Sequence, residues 1–144
     1  MTAPNPYAPP NAPLSDVTPA AQSKVPQYIV AILVGLQLLG TVQVSGTYVE
    51  LVNQGALKPF GLLFGFSGSL CLYLGAVLAA IIGVRGRVLF ILGAIGLGLS
   101  VWYSGGLYPP WNIVAAFGAV LGAAGWWITS RARKARMVAA KEGG

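Results

Sequence analysis

The sequence has no histidine, one cysteine, three acidic residues and only 8% charged residues in all. Each shortage excludes a class of chemistry. Without histidine, and with Asp16, Glu50 and Glu142 far apart along the chain, there is no metal-ligand set and no nucleophile–base pair of the kind hydrolases use. Cys71 has no partner for an intrachain disulfide and says nothing about the redox compartment. A soluble domain carries about 25% charged residues, so this 144-residue chain could not cover a water-facing surface. It is instead 56% hydrophobic, with a mean hydropathy of +0.71. The composition predicts a polytopic membrane protein that is not an enzyme and uses no cofactor.

What the chain does have is long apolar runs. Residues 60–84 carry no charge at all. A helix rises about 1.5 Å per residue and the hydrocarbon core is about 30 Å thick, so roughly 20 apolar residues cross it. In lipid the backbone must satisfy its own hydrogen bonds, which makes helix the expected state. The same argument places four spans at about residues 26–48, 60–83, 88–104 and 111–129. The first is predicted to continue to a stop at Asn53-Gln54-Gly55. Short connections make consecutive spans antiparallel. The expected fold is therefore an all-α membrane protein with four transmembrane helices in a compact antiparallel bundle, both termini cytoplasmic.

The second span has a small-residue face. At about 100° per residue, Gly61, Gly65, Gly68, Gly75, Ala79 and Gly83 fall within roughly 40° of one line, interrupted only by Leu72. Small residues at this spacing let helices approach closely, although membrane helices are rich in glycine in any case. The bulky Leu63, Phe66, Leu70 and Ile81 lie opposite. The third span lines up Gly93, Ser100 and Ser104, and the fourth contains the pair Gly118 and Gly122. These faces are candidates for packing within the chain or across a dimer.

Residues 1–25 hold six of the ten prolines and are expected to form a disordered cytoplasmic tail without the basic start or apolar run of a signal peptide. Within it, Asn5-Pro6-Tyr7-Ala8-Pro9-Pro10, followed by Ala12-Pro13-Leu14, resembles the opening of many small bacterial inner-membrane proteins of unassigned function. The resemblance covers some ten residues. It implies a cytoplasmic tail in a bacterial inner membrane and no particular activity.

Orientation follows from the cations. With both termini inside, Lys24, Arg85, Arg87, Arg131, Arg133, Lys134, Arg136 and Lys141 are cytoplasmic and only Lys58 is outside, as the positive-inside rule prefers. Trp102, Tyr103, Tyr108 and Trp111 gather at the outer boundary as an aromatic belt, with Trp126 and Trp127 at the inner one. Residues 131–144 form a basic tail, expected to start as a helical continuation of the fourth span, whose Arg131, Arg133, Lys134 and Arg136 suit anionic lipid headgroups. No aromatic or motif context there suggests nucleic acid.

None of the acids lies inside a span, which argues against a proton-coupled transporter. The chain also lacks the first-span glutamate of small multidrug-resistance transporters. Gln37, with Thr41 one turn on, is the notable intramembrane polar group. It could line a site or pore, but interhelical bonding to Thr41, Ser67, Ser69 or Ser100 is the simpler reading, with Tyr73 a further partner. Two functions fit these features. One is a non-enzymatic structural or accessory component that associates with a second copy or another membrane protein. The other is a small channel or transporter for an uncharged or apolar solute.

Overall fold

Proline opens three of the helices in this chain and glycine closes two of them. A proline suits the first turn, whose N–H groups have no intrahelical partner, and glycine takes the left-handed conformation that ends a helix. The computed structural model describes residues 23–83 and 85–142. Its helices are α1 (Val25–Asn53), α2 (Pro59–Ile82), α3 (Arg87–Ser104) and α4 (Pro109–Glu142). Prolines occupy the first turns of α1 and α2, and Pro109 begins α4. Gly83 and Gly105 cap α2 and α3 at φ 79° and 59°. All four helices are long and apolar enough to cross a membrane, and they pack together as an all-helical membrane bundle.

The expected tail at residues 1–25, with its Asn5–Pro10 motif, falls outside the described residues up to residue 22. The first helix continues through the membrane boundary to Asn53, as its sequence pattern predicts. The fourth runs well past the expected end near residue 129 and carries the basic segment as helix to Glu142. At about 1.5 Å per residue its 34 residues reach about 51 Å, some 20 Å more than the hydrocarbon needs.

The helices form a ring in which each touches its chain neighbours and α1 closes on α4, while α1 and α3 do not meet. The closest seam joins α2 to α3, and it is made of glycine on both sides. A Cβ built on Gly68 would lie 2.9 Å from the Leu97 nitrogen and 3.0 Å from the Gly93 carbonyl oxygen. One on Gly96 would lie 3.0 Å from the Gly68 Cα. These are backbone-to-backbone approaches, which only residues without a side chain allow. At the α2–α3 connection Gly86 abuts the Gly75 backbone with φ 105°. The partner of the α2 glycine face is therefore chiefly the third span of the same chain.

Ala79 is buried along the same face, and Leu72, its one bulky member, is fully buried against Gly93. Leu63, Leu70 and Ile81 on the far side are exposed, while Phe66 is half-buried, its ring edge-to-face with Trp111 at a centroid separation of 6.4 Å. Gly83 departs from the expected stripe. It is the left-handed cap, and a Cβ there would sit 3.0 Å from an Arg136 guanidinium nitrogen. In α4, Gly118 faces the Gln37 amide and Leu97, and Gly122 and Gly125 leave room for Phe90.

Candidate functional site

Polar groups occur at three levels of the bundle. At mid-depth, Gln37 and Thr41 lie one turn apart on α1, both 2% exposed, and face Ser69 of α2, which is fully buried. The Gln37 Nε2 donates to Thr41 Oγ1 at 3.0 Å and to Ser69 Oγ at 3.1 Å. Thr41 Oγ1 donates to the Gln37 carbonyl at 3.1 Å and lies 3.2 Å from Ser69 Oγ. The Gln37 Oε1 is buried without a partner. The small gap beside Thr41, lined by Leu97, Trp111 and Val114, has no room for a water molecule. Of the sequence-expected partners, Thr41 and Ser69 meet Gln37. Ser67 is exposed and bonds its own helix at the Phe64 carbonyl. Tyr73 is 41% exposed and is not among the hydrogen-bond partners of Gln37.

Toward the carboxyl end of α3, Ser100 links three helices. Its hydroxyl accepts the Trp111 Nε1–H of α4 at 2.8 Å and donates to the Gly61 carbonyl of α2 at 2.6 Å. Trp111 was expected in the aromatic belt, yet it is 2% exposed. The glycines at 61 and 65 leave a hollow that the indole and Tyr48 fill, and an indole with its N–H paired is stable in such a site. The Tyr48 ring packs 4.5 Å from that of Trp111, and its hydroxyl donates to the Lys58 carbonyl at 3.1 Å. One turn further along α3, Ser104 donates to the Val101 carbonyl at 2.8 Å and also bonds Asn112 Oδ1. Trp102, at 80% exposed, and Tyr103, stacked on Phe64, remain on the surface.

At the opposite end of the bundle the α4 extension brings its cations beside those of the α2–α3 connection. Arg87 lies over the Trp126 ring at 5.4 Å and Arg131 over Trp127 at 4.8 Å. Arg131, Arg133 and Lys134 line one hollow with Arg87. Arg136, expected at lipid headgroups, instead reaches Gly83 at the carboxyl end of α2, where the helix dipole favours a cation. The inclusion of Arg85 and Arg87 was not foreseen. Their signal is two arginines in a connection too short to place them anywhere but beside the start of the next helix.

Among the described residues no three His, Cys, Asp or Glu side chains come together. No protein-family model, curated protein or solved structure matches the chain.

Proposed function

We propose that this integral membrane protein is a non-enzymatic structural or accessory component that acts by helix–helix association. The reading places it in a bacterial inner membrane with both termini cytoplasmic and its basic end against anionic headgroups. Its partner is a second copy or another membrane protein, and not nucleic acid.

One observation carries the reading. The glycine faces of α2, α3 and α4 are occupied inside the chain, but α1 turns a polar face outward. Gln43, Gly46 and Thr47 lie at helical spacing on one side of α1, all exposed. Their depth is set by their neighbours: Thr41, just below, meets Ser69, and Tyr48, just above, reaches the Lys58 carbonyl. Gln43 thus sits inside the hydrocarbon on the lipid side. An amide there is stabilised by a donor and an acceptor from a neighbouring helix, and a Cβ on Gly46 would meet nothing within 4 Å, which leaves the approach open.

The solute-path alternative gains no comparable support, since the Gln37 cluster is bonded within the bundle and its adjoining gap excludes water. The test is disulfide crosslinking in native membranes from Gln43→Cys or Gly46→Cys in a Cys71→Ser background. A crosslinked band at twice the chain mass, or at the chain mass plus that of a second, cysteine-bearing protein, is expected. A chain that stays monomeric from both positions, and whose assembly in mild detergent is unmoved by Gly46→Ile, would sink the reading.

A further inference from the structure

The geometry points to a bound anionic phospholipid carrying two phosphates, of the cardiolipin type, seated along the cytoplasmic end of the α3–α4 seam. Two basic hollows adjoin there. The first, about 270 Å³, has Arg87, Arg131, Arg133 and Lys134 around Trp126 and Trp127. The second, about 620 Å³ and wider, has Arg85 with the same Arg87 and Arg133. Among the described residues, no acidic side chain lines either one. Five cations thus surround two spaces that share two arginines. A headgroup with two linked phosphates places one in each and shares Arg87 and Arg133 between them. Guanidinium groups suit this role, since each offers parallel N–H donors to phosphate oxygens.

A third feature selects a lipid over a soluble phosphate. An apolar groove of about 300 Å³ lies between α3 and α4, lined by Ile91, Ala94, Ile95, Gly122, Ala123 and Trp126. It adjoins both hollows, sharing Trp126 with the first and Ile91 with the second. The floor of this groove is smooth because Ala94, Gly122 and Ala123 are small. An acyl chain fits such a trough, and basic pockets between membrane helices on the cytoplasmic side suit multiply charged lipid headgroups.

The inference rests on the membrane orientation proposed above and sharpens its basic end from a diffuse surface to a site. The experiment separates the two. The full-length chain, purified in detergent, is titrated with cardiolipin, phosphatidylglycerol and sodium pyrophosphate, and bound lipid is counted by native mass spectrometry. One cardiolipin per chain is expected, at least tenfold tighter than phosphatidylglycerol. The double variant Arg87→Gln/Arg133→Gln should weaken it about thirtyfold. Lys24→Gln/Lys141→Gln removes the same charge outside the site and should change affinity by less than about threefold. Ala123→Trp fills the apolar groove with all cations kept, and should also weaken cardiolipin. If the two double variants weaken binding equally, the basic end is a diffuse surface and the site does not exist. Equal affinity for the two lipids overturns the two-phosphate assignment. Pyrophosphate competing as well as cardiolipin, or Ala123→Trp without effect, overturns the lipid assignment.

Discussion

Replacing Ser100 with alanine asks whether the outer half of the bundle is held by hydrogen bonds or by packing alone. Ser100 is fully buried, and its one hydroxyl accepts from Trp111 at 2.8 Å and donates to Gly61 at 2.6 Å. Alanine removes both bonds and leaves the Trp111 N–H buried with no acceptor. An orphaned buried donor costs about 1–3 kcal/mol. The interhelical bonds themselves are worth about 0.6 kcal/mol each in a membrane protein. The expected loss for Ser100→Ala is thus about 2 kcal/mol. Trp111→Phe removes the donor instead, leaves Ser100 free to bond Gly61, and costs mainly the packing of the lost ring. In the double variant nothing is orphaned, so its loss should fall short of the sum of the two single losses by about 1 kcal/mol. Reversible unfolding in mixed micelles, followed by far-ultraviolet circular dichroism, measures all three variants against the parent. If the losses add to within about 0.4 kcal/mol, the hydroxyl does not bridge Trp111 to α2 and the reasoning is refuted.

Other expectations follow from the same geometry. Gly68→Ala should destabilise the bundle by about 1–3 kcal/mol by driving a methyl group into the α3 backbone, whereas Gly98→Ala, with nothing within 4 Å, should cost nothing measurable in the same unfolding assay. Gln37→Leu should cost less than about 1 kcal/mol, because it removes two hydrogen bonds and an unpartnered Oε1 together and leaves Thr41 and Ser69 to bond each other. In proteoliposomes the same variant should leave passive flux of small uncharged solutes unchanged, and a loss of flux would revive the solute-path reading. An alkaline phosphatase fusion after residue 142 should be inactive and a green fluorescent fusion bright, as a cytoplasmic C-terminus requires.

Element identity was largely legible because it rests on local chemistry. Charge-free runs, prolines at helix starts and glycines at helix ends act within a few residues, and α1 to α4 fall where those signals put them. For α4 the helical continuation past the span was legible but its length was not, because no breaker stands between Ser130 and Glu142 and only the hydrophobic run stops there. Gly83 shows the same limit from the other side. It shares the angular line of Gly61 to Ala79 on an ideal helix, but the helix ends one residue before it. Trp111 was misplaced for a different reason. Its sequence neighbours Tyr108, Pro109 and Pro110 are those of a boundary residue, and nothing local reveals the hollow that Gly61 and Gly65 leave some fifty residues earlier in the chain.

Membrane residence and the positions of four spans were thus determined by the sequence alone, because burial in lipid is decided segment by segment, by the balance of apolar and charged side chains. Which faces meet was decided only by the tertiary structure. The line of small residues on α2 specifies close approach without specifying a partner, since a glycine face fits any other equally well. The ring closure of α1 on α4 turned that face to α3. It also joined Gln37 to Ser69, drew Trp111 inward onto Ser100, brought Arg85 and Arg87 beside the cations of α4, and left Gln43 and Gly46 facing out. Each pairing depends on contacts between residues distant in sequence, and those exist only once the helices have chosen their neighbours.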